Sequence, residues 1–317
     1  MTSSLACLAG APLFALADGA EGAGEPLGRL QTPFGASEPI WRRGDDGSYV
    51  VPRCTADGRH AWPGAVNHRA TLYALKTLGV QCVLGVSAVG SITHSYNVGD
   101  IAVIGDLIDQ TARRAATFFE HTGIATLRQF PVFCPFLREA LTTSLDRMGR
   151  PCRRGSTLVV TEGPRLETPA EIRFYTAAGG ELVGHAFAPE AFLAKELELC
   201  FAGVAYVANY AETGSCYRPF SARDLFGGLT SVSDADRIGA ALETIAALVD
   251  DVSRYVNEHA PTCECGRTMR HAVEKFGLGE DWRQWFTIAR GRYAPVPPRT
   301  GGGVSEDLSQ TTHPSQS

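Results

Sequence analysis

Glu167 lies in Glu162-Gly-Pro-Arg-Leu-Glu-Thr-Pro169, just ahead of a predicted helix, and Asn209 closes the apolar run 203–208. A carboxylate only accepts hydrogen bonds, whereas an amide also donates. As plain structure the two are a helix-start charge and a strand-end cap. His185, in Gly184-His-Ala-Phe-Ala-Pro-Glu190, titrates near neutrality and suits acid–base work or, equally, a structural hydrogen bond. Cys54 has no base nearby in sequence, which favours a buried thiol over a nucleophile. Cys263-Glu-Cys265 has the look of a metal or redox pair. No second Cys or His pair lies at zinc spacing around it, and His259 and His271 flank it only loosely. It is read as a redox-capable pair near a helix start, and no metal site is expected.

These groups must be positioned by a chain of 317 residues with 29 basic and 34 acidic side chains and a net charge of −5. No stretch concentrates Lys and Arg as a nucleic-acid footprint would. Arg43, Arg53 and Arg59, like Arg113 and Arg114, are read as solvated or single-ligand charges. The apolar start is broken by Gly10 and Pro12 and lacks a basic n-region, so it is read as mature protein rather than a signal peptide. No apolar run is long enough to span a bilayer. Scattered thiols among apolar neighbours (Cys82, Cys134, Cys200) point to reduced cysteines and a cytoplasmic setting.

Short β-branched runs alternate with amphipathic helices, which predicts an α/β protein with a largely buried sheet. Strands are expected at 80–86, 101–104, 157–161 and 203–208, the first ending in a small-residue turn, Ser87-Ala-Val-Gly-Ser91. Helices are expected at 63–78, 135–148, 169–178, 189–199 and 268–276. The strongest runs from Asp234 to about Asn257, with Ile238, Ala241, Leu242, Ile245, Leu248, Val249, Val252 and Val256 on one face and a Ser233/Asp236 cap. One domain is expected over 1–292, followed by a disordered tail rich in Pro, Gly, Ser and Thr over 293–317.

Glu162-Gly-Pro-Arg-Leu-Glu-Thr-Pro-Ala-Glu-Ile-Arg173 and Val207-Ala-Asn-Tyr-Ala211 resemble the base-binding segments of the purine nucleoside and methylthioadenosine phosphorylase family. So, in order, do Gln31-Thr-Pro-Phe-Gly-Ala-Ser-Glu-Pro-Ile40, Val66-Asn-His-Arg-Ala70, Ser87–Ser91 with Val98-Gly-Asp-Ile101, and Phe133-Cys-Pro135 with Leu137-Arg-Glu-Ala140. The resemblance runs from about Leu5 to Met269. It implies a twisted mixed β-sheet surrounded by helices, a nucleoside-like or related heterocyclic small-molecule substrate, and a homotrimer with sites near subunit contacts. Glu167 and Asn209 match the family's pair for 6-oxopurines. Asn209 would donate to N7 and O6 and Glu167 accept from N1–H, strengthening as charge builds on the leaving base. Adenine-specific members carry Asp where this chain has Asn209. The base-stacking aromatic is Leu166 here, and Gln129 stands where the family reaches into a neighbouring subunit's pocket.

The phosphate-binding positions depart from the family. Its hydroxyl-bearing first turn becomes Leu8-Ala-Gly-Ala-Pro12, its Arg-His-Gly loop becomes Arg53-Cys-Thr-Ala-Asp-Gly-Arg-His60, and its Met-Ser/Thr pair becomes His185-Ala186. Ser87, Ala88 and an arginine remain, with Phe187 placed to fill vacated phosphate space or to pack in the core. Each charge-assisted contact is worth roughly 1.5–3 kcal/mol, so losing several removes orders of magnitude in phosphate affinity. No cofactor is expected, and phosphate is at most a co-substrate. Three functions stay open: a phosphorylase for an unusual 6-oxopurine nucleoside, a phosphate-independent hydrolase, lyase, isomerase or cyclase, and a non-catalytic ligand-binding trimer.

Overall fold

The computed structural model describes residues 4–16, 22, 24–43, 46–53, 63–120, 122–213, 220–223 and 225–293. Cys54, Arg59, His60 and the tail beyond Tyr293 lie outside the described residues.

Strand β7 (Val80–Ser91) is the axis of a single α/β domain. It pairs in parallel with β1 (Ser4–Ala9) on one side and β11 (Cys200–Tyr210) on the other. Covered on both faces, the three are nearly continuous apolar runs, as buried parallel strands require. Beyond β1 the sheet continues through β6 (Tyr49–Pro52) and β5 (Ile40–Arg42) to β2 (Glu25–Gly28). Beyond β11 it continues through β8 (Ile101–Asp109) and β9 (Cys152–Val160) to β10 (Leu182–Gly184). β3 (Gln31–Thr32) and β4 (Gly35–Ala36) form a separate hairpin. β10 also pairs antiparallel with β7, Val183 opposite Gly90, so five strands of the mixed sheet close on themselves. Register shifts between Val207 and Asn209 and around Ile104–Asp106 supply the local bend that closure demands.

Alternate residues of β1 and β7 enter opposite cores. Leu5, Cys7, Leu84 and Val86 face α3 (Pro135–Arg147) and α6 (Val232–Glu258). Ala6, Leu8 and Val83 face the other core, with α2 (His68–Thr77), α5 (Glu190–Glu196) and α8 (Trp282–Tyr293). Among the described residues the remaining helices are α1 (Ala11–Leu16), α4 (Pro169–Ala177) and α7 (Arg270–Phe276). Proline opens α3 and α4, where a missing N–H costs nothing. In α4 a Thr168/Glu171 capping box completes the start.

Several expectations are corrected. Ser87–Ser91 continues β7 instead of turning, because β11 and β10 supply its hydrogen bonds. The helix expected from Pro63 begins at His68, where the Asn67 side chain accepts from the Ala70 N–H; a short 3₁₀ turn precedes it. The cap of α6 is Ser231 with Asp234, not Ser233 with Asp236. α8 was not expected; it buries Trp285, Phe286 and Ala289, and Phe286 packs edge-on against Phe34 and Tyr73.

Glu196, closing α5, is buried, accepting from the Phe118 N–H and the Thr117 hydroxyl, both at 2.7 Å. Burial outweighs those bonds and pushes its carboxyl up from 4.5 to about 7. A raised folded-state value means that the stability contribution is full below 4.5 and is lost as pH rises through about 7. Glu196→Gln should therefore flatten the pH dependence of the urea midpoint across that window. The expected change is about 3 kcal/mol of slope removed; identical profiles for both proteins would refute the assignment.

Candidate functional site

In the middle of β7, Ala88 is exposed and Ser87 half-buried between fully buried neighbours. The Ser87 hydroxyl donates to the Ala88 carbonyl at 3.0 Å. Opposite, β10 runs past this point: a Cβ on Gly184 would lie 3.5 Å from the Ala88 carbonyl oxygen. His185 follows directly.

His185 Nδ1 lies 2.9 Å from the Thr161 hydroxyl, which donates to Glu167 Oε1 at 2.6 Å. A hydroxyl carries one proton, and this one is committed to Glu167. His185 Nδ1 must therefore be the donor to Thr161, leaving Nε2 as an acceptor. Burial pushes His185 below its ordinary imidazole value, against the opposing pull of Glu167, so the ring is neutral at neutral pH. Gly163 lies against the ring at a φ of 66°, and a Cβ there would meet it at 3.2 Å. Glycine supplies both the backbone conformation and the space.

Asn209 enters from β11, in register with Gly90 of β7, and Val183 of β10 flanks the same glycine from the other side. Its Oδ1 would lie 3.5 Å from a Cβ built on Gly90, and its Nδ2 donates to the Tyr210 carbonyl at 3.3 Å. Leu166, beside Glu167, is 41% exposed. Glu167 and His185 are thus linked directly, while Asn209 is brought in from a neighbouring strand.

Arg114, read from sequence as a solvated or single-ligand charge, is instead the buried tie of this site. Its side chain is 1% exposed. It donates to the carbonyls of Thr161, Glu162, His185 and Ala188 at 2.6–3.1 Å and to Glu162 Oε1 at 3.2 Å. One guanidinium thereby joins the segments that carry Glu167 and His185. Burial alone would raise the Glu162 carboxyl, but the Ala112 and Arg113 N–H groups and Arg114 hold it below its ordinary range.

Two candidates for the substrate site are corrected. Phe187 is 0% exposed and cannot touch a substrate. Its ring fills the space over Gly85 and Gly203, where added Cβ atoms would approach to 2.7 and 3.0 Å, and packs with Phe133 and Phe201. Arg53 is engaged by Glu190 at 3.0 Å and by the carbonyls of Leu8 and Val86. Its guanidinium also lies over the Phe187 ring, 5.8 Å from the centroid. His68, expected on a surface or helix face, is buried and reaches the same Glu190 oxygen at 3.4 Å. Burial would raise the Glu190 carboxyl, yet His68 and Arg53 hold it well below the carboxylate range. Gln129 is exposed and lines a separate surface cavity with Thr117, Thr122, Phe192 and Glu196.

The cysteine pair also differs from expectation. Cys134 and Cys200 come from distant segments to join Cys263 and Cys265, all four sulfurs lying within 4.8 Å of one another. His259, thought to flank the pair, stacks on Tyr255 instead. Only spacings local to the pair are legible in sequence, which is why the second pair went unseen.

The profile of the phosphorylase superfamily matches residues 48–252. The chain is 42% identical over 190 residues to a 6-oxopurine nucleoside phosphorylase of Pyrococcus furiosus, covering 57% of this chain and 71% of that protein. It is 34% identical over 245 residues to a probable 6-oxopurine nucleoside phosphorylase of Korarchaeum cryptofilum, covering 73% and 84% respectively. A probable S-methyl-5'-thioinosine phosphorylase of Methanopyrus kandleri is 41% identical over 182 residues, covering 57% and 70%. The fold matches a methylthioadenosine phosphorylase from an antarctic soil metagenomic library with a TM-score of 0.74 at 23% identity, covering 91% of this chain and 99% of that one.

Arg114→Met should destabilise the protein by about 3–5 kcal/mol, because it strands four carbonyls at roughly 1–3 kcal/mol each where burial persists and removes one partner of Glu162. Arg114→Lys keeps the charge but not the planar fork and should recover less than half of the loss. Urea unfolding reads both; a midpoint unchanged in Arg114→Met would contradict the role given to Arg114.

Proposed function

Because the chain belongs to the phosphorylase superfamily, we propose that it breaks the bond between a 6-oxopurine-like base and its sugar. The observation that carries this reading is Glu167, hydrogen-bonded through Thr161 to a neutral His185, with Asn209 of β11 opposite Gly90, the residue that Val183 of the strand before His185 also faces. In the proposed step the C1′–N9 bond breaks and its electron pair passes to the base. Asn209 donates to N7 and O6, where the negative charge collects, and Glu167 accepts from N1–H. An oxygen nucleophile then bonds C1′. Leu166 supplies an apolar face to the base, and Ser87 and the Ala88 segment line the sugar side. The relatives named for 6-oxopurine nucleosides support the choice of base.

Phosphate is the nucleophile that the superfamily's name suggests, but this chain holds it poorly. Arg53 is already paired with Glu190, and the first turn carries no hydroxyl. A second reading, with water as nucleophile, is favoured by one observation: the Nδ1 bond of half-buried His185 to Thr161 leaves Nε2 of the neutral ring as an acceptor. It could take the proton of an attacking water while Nδ1 remains bonded to Thr161. Base release from 6-oxopurine nucleosides, measured with and without phosphate, separates the two through the product, sugar 1-phosphate or free sugar. Phosphate-dependent turnover in the usual enzyme range of roughly 1–10³ s⁻¹ would overturn the weak phosphate site.

Asn209→Ala should lower kcat on the order of 10²–10³-fold, as loss of an oxyanion-type donor does, with a smaller change in KM. Glu167→Gln should shift preference between bases with and without an N–H at the facing position. Full activity in both variants would remove the base-edge assignment. The homotrimer is likewise proposed: Phe130, 75% exposed, sits beside Gln129 on the segment expected to reach a neighbouring subunit. Light scattering should give three chains per particle, and a stable monomer at micromolar concentration would contradict it.

A further inference from the structure

We propose that Cys134, Cys200, Cys263 and Cys265 form a tetrahedral all-thiolate site for a divalent zinc-like cation, separate from the proposed catalytic site. The four residues belong to three remote parts of the chain. Cys134 is the N-cap of α3, Cys200 is the first residue of β11, and Cys263 and Cys265 lie in the link between α6 and α7. Their sulfurs all fall within 4.8 Å of one another, with Cys134–Cys263 at 3.5 Å and Cys200–Cys263 at 3.4 Å. Zinc–sulfur bonds of about 2.3 Å at tetrahedral angles separate sulfurs by roughly 3.8 Å. A disulfide would bring one pair to about 2.0 Å and leave the pairs independent. Here Cys263 instead approaches two partners at nearly equal distance, as a ligand on a shared ion does. Among the described residues no carboxylate or imidazole joins the set, and a donor set of sulfur alone selects zinc-like or softer ions over magnesium or calcium.

The surroundings suit such a centre. Four thiolates around a divalent cation leave surplus negative charge. The N-terminus of α3 presents its positive dipole end at Cys134. Lys195 is buried nearby and held by the Pro131 and Arg128 carbonyls. The loop is fixed as well: Cys134 N–H donates to the Phe201 carbonyl at 2.8 Å, and the Thr268 hydroxyl donates to the carbonyls of Lys195 and Cys265. Two ligands come from the α3–β11 core and two from the link that leads into α7 and α8. The ion would therefore fasten the C-terminal helices, which carry Trp285 and Phe286, to the central sheet.

The test uses the full chain, purified under reductant and gel-filtered. Elemental analysis should find about one zinc per chain. Cobalt(II) added to metal-stripped protein should give the visible bands and near-ultraviolet sulfur charge-transfer absorption of a tetrahedral thiolate site, saturating at one equivalent. Cys265→Ser and Cys263→Ser should each lose the charge-transfer absorption. Chelation of the wild-type protein should raise amide exchange across residues 260–293. Three results would overturn the proposal: no zinc and no cobalt spectrum from folded, reduced wild-type protein; bound metal unaffected by both substitutions; or an intact mass lighter by two hydrogens per cysteine pair, which marks disulfides.

Discussion

The buried guanidinium of Arg114 is the constraint on which the site depends. The segments after β9 and β10 leave the sheet with carbonyls that no strand partner satisfies, and a buried carbonyl without a donor is costly. Arg114 satisfies carbonyls of both segments from one planar group, which a flexible ammonium could not do with the same fixed geometry. Because Glu162 neutralises it and in turn accepts from two backbone N–H groups, the charge is tolerated in the interior. The distance between Thr161 and His185, and through them the state of the imidazole, follows from that knot.

A second layer of support is steric. Phe187 lies across two glycines on adjacent central strands, its ring wholly buried. The residues on either side of that ring face different tasks. His185 turns to Thr161, whereas Pro189 and Glu190 lead into α5 and the Arg53 pair. One short segment thus divides the polar end of the site from a sealed aromatic core.

The elements built on local pattern were legible in sequence. The buried run of β7 and the stripe from Ala241 to Val256 in α6 each announce themselves through a period that burial enforces. α8 carried the same signal in Trp282, Trp285, Phe286 and Ala289, at helical spacing, but proximity to the Pro- and Gly-rich tail masked it. Ser87–Ser91 reads as a turn because its residues are small, yet two flanking strands hold it extended. Motifs single out Glu167 and His185, which the fold joins through Thr161, and Asn209, which it sets on a nearby strand. Arg114 and the cysteine cluster were not legible: their partners lie 47–74 and 63–129 positions away, and only tertiary closure makes them neighbours.

The pairing of Arg53 with Glu190 also shapes how a ligand would arrive. A cleft that captures a dianion efficiently projects uncompensated positive potential into solvent, so that diffusing anions are drawn in and encounter rates fall as salt is added. Here Arg53 is held by a carboxylate that His68 also contacts, so this cation adds little to such a field. On the proposed reading, a neutral ligand would therefore lose nothing by comparison with an anion as far as Arg53 is concerned, and selection would rest on the shape and hydrogen-bonding edge of what binds.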